Sequence, residues 1–422
     1  MMNATFKTIP WIKTALVNFC VVALAGVVLR YKINFPLPIV NQKYLLHAHS
    51  HFAFTGWVSL ALMALMVNYL QQQNIIANYR RYQWILLANC VVSYGMLFSF
   101  IAQGYALYSI TFSTLSIFVS YFFIYHLWKD LNSVRDESYT TVWFKASLVI
   151  WAISSLGAFT LAYLMANHIR VQDYYFGAIY FFLHFQYNGW FLFACLGLLF
   201  GYLRDNGVAT SVIISKRLFW ILVITVGPAY LLSVLWLRLP GWLNLIASIS
   251  GVLQLLVLFY FVPVFSIIKK ISLASTTKYL WIMMSIAFTL KVFLQFLSIF
   301  PFLSKYAFGF RPIIIGYLHL SFLGIISFFI LGYMDQLLNQ TQRRISKSGM
   351  IILVGGVLLQ EVTLMVQGLE VMEFEPLPYA NLMLFVAAIV MASGLIWITL
   401  SMYKVRTTTP GKSEHGSYSR SL

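Results

Sequence analysis

His47-Ala-His49-Ser-His51-Phe-Ala-Phe-Thr-Gly56-Trp57 opens an apolar run that continues to about residue 70. The run exceeds the roughly 20 residues needed to cross the hydrocarbon core of a bilayer, yet it carries three imidazoles. Two other stretches read alike, His184-Phe-Gln-Tyr-Asn-Gly189-Trp190 and His319-Leu-Ser-Phe-Leu-Gly324-Ile325. In each, a Gly follows the His by five residues. Counting from run ends near Tyr44, Tyr174 and Arg311, a rise of 1.5 Å per residue sets His51, His184 and His319 roughly 10 to 15 Å into the membrane. Similar depth on similar segments implies an internal repeat of about four helices and a pseudo-threefold arrangement.

Outward from these stretches the pattern continues. Of the 422 residues, 61% are hydrophobic and 9% charged, a balance that excludes a soluble domain, whose surface must be covered by polar side chains. Apolar runs occur near 11–30, 44–70, 83–105, 106–128, 142–166 and 174–203, then near 217–238, 242–268, 279–303, 312–338, 348–368 and 379–404. The expected fold is an all-α integral membrane domain over 1–404, with about twelve transmembrane helices in three arcs of four. Residues 405–422, which follow Lys404 and include a Thr-Thr-Thr-Pro-Gly-Lys-Ser stretch, read as a disordered cytoplasmic tail. The first run lacks a small-residue cleavage site and reads as a spanning helix, not a cleaved leader.

A net charge of +17 raises nucleic acid as a partner, but the distribution of the charge points to a lipid bilayer. With the N-terminus inside, the inner loops collect Lys7, Lys13, Arg80, Arg81, Lys129, Arg135, Arg204, Lys216, Arg217, Lys269, Lys270, Lys278, Arg343, Arg344 and Lys347. The outer loops hold Arg30, Lys32, Lys43, Arg170, Arg238, Lys305 and Arg311, together with the acidic Glu370, Glu373 and Glu375. This sorting follows the positive-inside rule and puts both termini in the cytoplasm, in what reads as a bacterial cytoplasmic membrane. Cys20, Cys90 and Cys195 are isolated in apolar runs, which leaves neither a disulfide framework nor a Cys-x-x-Cys-His haem attachment.

Ionisable groups inside a bilayer are costly and are functional candidates. Imidazole is a common axial ligand of haem iron, and a pair of imidazoles gives a six-coordinate low-spin centre. His47, His49, His51, His184 and His319 all lie on even-numbered helices, whereas His126, His168 and His415 sit at a helix end, in a loop and in the tail. His49 and His51 are the ligand candidates by depth; because residues two apart point to roughly opposite faces, they address different sites. Lys291 and Glu361 fall in mid-helix and are expected to pair with each other, joined by Gln295 or Gln360.

Twelve helices with histidines on the second, sixth and tenth resemble the catalytic subunit of haem-copper oxidases and nitric oxide reductases. The resemblance implies haem b held between the second and tenth helices by His49 or His51 and His319. It further implies propionates that meet Arg311 or Arg238, and a metal ligand at His184. The chain departs from the family at the tenth helix, where Tyr317 replaces the high-spin haem ligand. It departs again at the seventh, where Val226-Gly227-Pro228-Ala229-Tyr230 offers a kink and a phenol in place of the His-His pair. Copper is therefore not expected.

The leading reading is a cytochrome for electron transfer or for redox or gas sensing, served by an electron donor or partner subunits. A divergent oxidase or nitric oxide reductase, with His184 and Tyr317 as catalytic candidates, is the enzyme alternative. A transporter of the internal-repeat type is the third reading.

Overall fold

A computed structural model describes residues 5–75, 77–135, 139–237, 239–304, 310–339, 345–370 and 378–403. Arg238, Lys305, Arg343, Arg344, Glu373, Glu375, His415 and the expected tail lie outside the described residues. Among those described, the ordered elements are helices and there is no strand.

The long helices are α1 (Thr8–Asn34), α2 (Gln42–Gln72), α3 (Tyr79–Gln103), α4 (Leu107–Leu131), α5 (Thr140–Ala166) and α6 (172–205). They continue with α7 (Thr210–Val226), α8 (Gly241–Lys270), α9 (Ser275–Leu297), α10 (Arg311–Asn339), α11 (Lys347–Leu369) and α12 (Ala380–Ser401). Ten of them are long and apolar enough to cross a membrane. An eleventh qualifies if α7 is joined, across a 51° bend, to the 3-10 helix Pro228–Val234. The chain is therefore a polytopic helical membrane protein. α6 is continuous for long enough to span, but it carries His184, Gln186 and Asn188 in its middle and is not among the ten.

Sequence features set the helix boundaries. Asn41 and Asn78 accept hydrogen bonds from the first free N–H groups of α2 and α3, and Ser346 does the same for α11. Pro228 has no N–H to continue the α7 ladder, so the helix tightens there and bends at the Gly-Pro step.

Each long helix packs against its neighbour in sequence, and α1 packs against α12, so the helices form a closed ring. Across the ring α6 touches both α2 and α10, and a hydrogen bond links α2 to α10. Burial follows this plan, with 83% of the apolar window of α2 inside the bundle against 17% for α4. α4 turns Phe118, Phe122 and Tyr125 outward, a surface that suits lipid.

Candidate functional site

The three His-x4-Gly stretches sit at one structural position. Each runs directly into a π-helical segment, Ala53–Ser59 in α2, Phe185–Phe191 in α6 and Leu320–Ser327 in α10. A π turn inserts an extra residue into the ladder and is found disproportionately at functional sites. In α2 two freed carbonyls are satisfied from outside, Gly56 by the Asn18 amide at 2.7 Å and Thr55 by the Asn89 amide at 3.0 Å. Buried backbone groups in hydrocarbon need such partners.

Past the π turns the three helices interlock about a common axis. Trp57, six residues after His51, donates to Ser327, eight residues after His319, at 3.0 Å. Trp190, six after His184, donates to Ser59, eight after His51, at 3.4 Å. At the third junction the matching positions are Ile325 and Leu192, both buried; an apolar pair stands where the other two have Trp and Ser. Phe54, Tyr187 and Phe322, each three residues after its His, meet near the axis, with Phe54 and Phe322 4.6 Å apart between centroids and Tyr187 and Phe322 5.9 Å apart. The glycines serve close packing. A Cβ on Gly189 would collide with Ile150, and one on Gly324 would lie 3.0 Å from Ala287 Cβ.

The histidines themselves divide by partner. His49 turns toward α1, where its Nδ1–H donates to the Val22 carbonyl at 3.0 Å. The Nδ1–H of His319 donates to the Ile315 carbonyl at 2.9 Å. Neither Nε2 has a hydrogen-bond partner among the described residues, and the two rings lie within electrostatic range of each other. A backbone carbonyl on Nδ1 fixes the tautomer that presents the Nε2 lone pair, the arrangement usual for a metal-ligating histidine. Gly26 lies beside His49, with the ring carbon Cε1 only 3.5 Å from where a Cβ would stand.

His51 points the other way, stacked on Phe100 at 4.5 Å, with its Nε2 hydrogen-bonded to the Tyr105 hydroxyl at 3.0 Å. Tyr105 lies in the short connection between α3 and α4. His184 is fully buried, and both of its nitrogens are engaged. Nε2–H donates to the Val226 carbonyl at 2.8 Å, while Nδ1 accepts from the Asn188 amide at 3.1 Å and the Ser233 hydroxyl at 3.4 Å. It joins α6 to the bend that Pro228 makes after α7.

Arg311 begins α10. Arg30, at the end of α1, is within electrostatic range of Arg311, His49 and His319. Arg30, without a carboxylate partner among the described residues, thus stands beside the His49–His319 pair, and Arg311 stands beside Arg30. In the sequence Arg30 reads only as a loop charge; its place one turn after Gly26 is the one available signal. The Tyr317 hydroxyl donates to Gln295 at 3.4 Å, and its ring lies 6.2 Å from that of Tyr187.

The expected pairing of Lys291 with Glu361 does not occur. α10 lies between α9 and α11 in the ring, so the two side chains face different neighbours. Lys291 lines a small enclosed cavity with Asn188 and Gln254, whereas Glu361 faces Gly316 of α10 and has one carboxyl oxygen without a partner. Among the described residues no three His, Cys, Asp or Glu side chains gather as a metal-ligand group.

No protein-family model matches the chain, and no curated protein matches it in sequence.

Proposed function

We propose that the chain is a membrane haem protein similar to the catalytic subunit of haem-copper oxidases, with one low-spin haem b between α2 and α10 and a role in electron transfer or redox sensing. One observation carries this reading: His49 and His319 share an electrostatic neighbourhood, and each commits Nδ1 to a backbone carbonyl while leaving Nε2 without a protein partner. His51 has its Nε2 engaged by Tyr105 and His184 has both nitrogens engaged, which favours His49 over His51 as the α2 ligand.

The donor set fits the group. Two neutral imidazoles present nitrogen to iron. Arg30 and Arg311 supply donors suited to propionate carboxylates. None of the nine residues Arg311–His319 is buried, so the bundle does not close over this half of α10. When bound, haem supplies a reversible one-electron couple. The protein's part is to hold the imidazole orientation through Val22 and Ile315, to set positive charge beside the carboxylates, and to keep bulk water away with the lipid-facing ring. His49 and His319 together would hold the iron without a vacant position for a gas, which favours electron transfer or redox sensing over gas sensing. With twelve spans in three arcs, both termini fall in the cytoplasm and His49 and His319 near the outer face of a bacterial cytoplasmic membrane.

The test is haem quantification and the dithionite-reduced minus oxidised spectrum of the purified full chain, with carbon monoxide then added. The expected result is one haem b per chain and a sharp low-spin signal indifferent to carbon monoxide. Absence of haem would overturn the reading in favour of a transporter. A carbon monoxide shift with a second metal would overturn it in favour of an oxidase-type enzyme at His184 and Tyr317.

A further inference from the structure

His47 and His51 are four residues apart on α2 and so lie on one helix face, away from His49. Both pack around Tyr105. The ring centroids of His47 and Tyr105 are 4.6 Å apart, and His51 Nε2 is 3.0 Å from the Tyr105 hydroxyl. Phe100 forms a wall behind them, stacked on His51 at 4.5 Å and 6.1 Å from His47. Nε2 of His47 is enclosed and has no hydrogen-bond partner. A buried polar atom left unsatisfied costs about 1–3 kcal/mol, and in a native protein such an atom calls for an explanation.

The third member of the group is held in place. Gly104 adopts φ +64°, and the Tyr44 ring occupies the space where a side chain on that residue would be. Ser109 closes the turn, donating to the Gly104 carbonyl at 2.6 Å and accepting from Ala106 N–H at 2.9 Å. Tyr105 keeps 38% of its surface exposed, so an ion has a route in from outside the bundle.

We infer that His47, His51 and Tyr105 form a binding site for one divalent transition-metal ion, Zn2+ or Cu2+, on the face of α2 opposite His49. Two imidazole nitrogens and a phenol oxygen are the ligand types these ions accept. Ligand atoms about 2.0–2.1 Å from a tetrahedral ion lie roughly 3.3 Å from one another, close to the present separation of Tyr105 Oη and His51 Nε2. On binding, the metal–oxygen bond forms as the phenol O–H breaks and its proton passes to water; waters fill the remaining positions. His47 Nε2 then gains the partner it lacks. Lys43, one turn before His47 on the same face, is the nearby cation that the ion must tolerate. The site does not depend on the haem reading, since it uses neither His49 nor His319.

The experiment uses the full chain in detergent, with any polyhistidine tag removed and metals stripped by chelator. Zn2+ is titrated calorimetrically and counted by elemental analysis, and Cu2+ is followed by its visible phenolate-to-copper band. The expected result is one ion per chain, weakened at least about tenfold in His47→Ala and in His51→Ala and unchanged in His126→Ala. Tyr105→Phe is expected to abolish the visible band while leaving weaker binding. Metal-free thermal unfolding of each variant, compared with the parent, separates loss of ligand from loss of fold. No stoichiometric binding by the parent chain, or equal binding by a folded His47→Ala/His51→Ala double variant, would overturn the inference.

Discussion

The three central helices each have two unlike halves. From Gly56 to Leu70 in α2 and from His184 to Gly201 in α6, every residue is buried, and so are nearly all from Leu320 to Asp335 in α10. Before the π turns, only Leu45, Ala48 and Phe52 are buried in Gln42–Phe52, only Ala178 and His184 in Gln172–His184, and none in Arg311–His319. The half past the π turns is a packed hub of Trp, Ser and aromatic side chains; the other half is loosely closed and carries His47, His49, His51 and His319, while His184 stands buried at the boundary. A single helix can thus serve as scaffold at one end and as a site at the other, with the π turn as the boundary between them.

That division sets the expected size of mutational effects. In the packed half, Gly189→Ala drives a methyl into Ile150 and is expected to destabilise by about 1–3 kcal/mol, the cost of overpacking, read as a lowered unfolding temperature in detergent. His184→Leu strands the Val226 carbonyl, Asn188 and Ser233; it is also expected to cost about 1–3 kcal/mol, from groups left unsatisfied, while haem content stays unchanged. Loss of haem in that variant would remove His184 from its purely structural role. Trp190→Phe removes one hydrogen bond to Ser59 and is expected to cost about 1 kcal/mol by the same measurement. In the open half, Gly177→Ala meets nothing nearer than the Tyr230 hydroxyl at 3.8 Å, and a change within about 0.5 kcal/mol is expected. Equal costs at Gly189 and Gly177 would erase the distinction between the halves.

In the open half, function is the better probe. Arg30→Gln removes a positive charge beside the His49–His319 pair, which disfavours the electron-bearing form, so a lowered midpoint potential is expected with haem retained. An unchanged potential would take Arg30 out of the site.

Much of this architecture was legible in the sequence. The apolar runs correspond to the long helices, and the His-x4-Gly repeat marks the three helices that meet at the centre. The Gly-Pro step of α7 bends as its chemistry requires. The π turns were not legible, because they arise from the fit of three helices about an axis and from Asn18 and Asn89 on other helices. The choice between His49 and His51 was hidden for a similar reason: both share α2, and only the neighbours, Val22 on one side and Tyr105 on the other, separate them. Lys291 and Glu361 looked like a pair because mid-helix depth is readable in one dimension, whereas the intervening α10 is not.

The proposed haem site requires His49, not His51, as the α2 ligand that partners His319. Haem content and the reduced minus oxidised spectrum of His49→Ala and His51→Ala, prepared side by side, test this. The prediction is loss of the low-spin signal in His49→Ala and its retention in His51→Ala; retention in His49→Ala with loss in His51→Ala would contradict it.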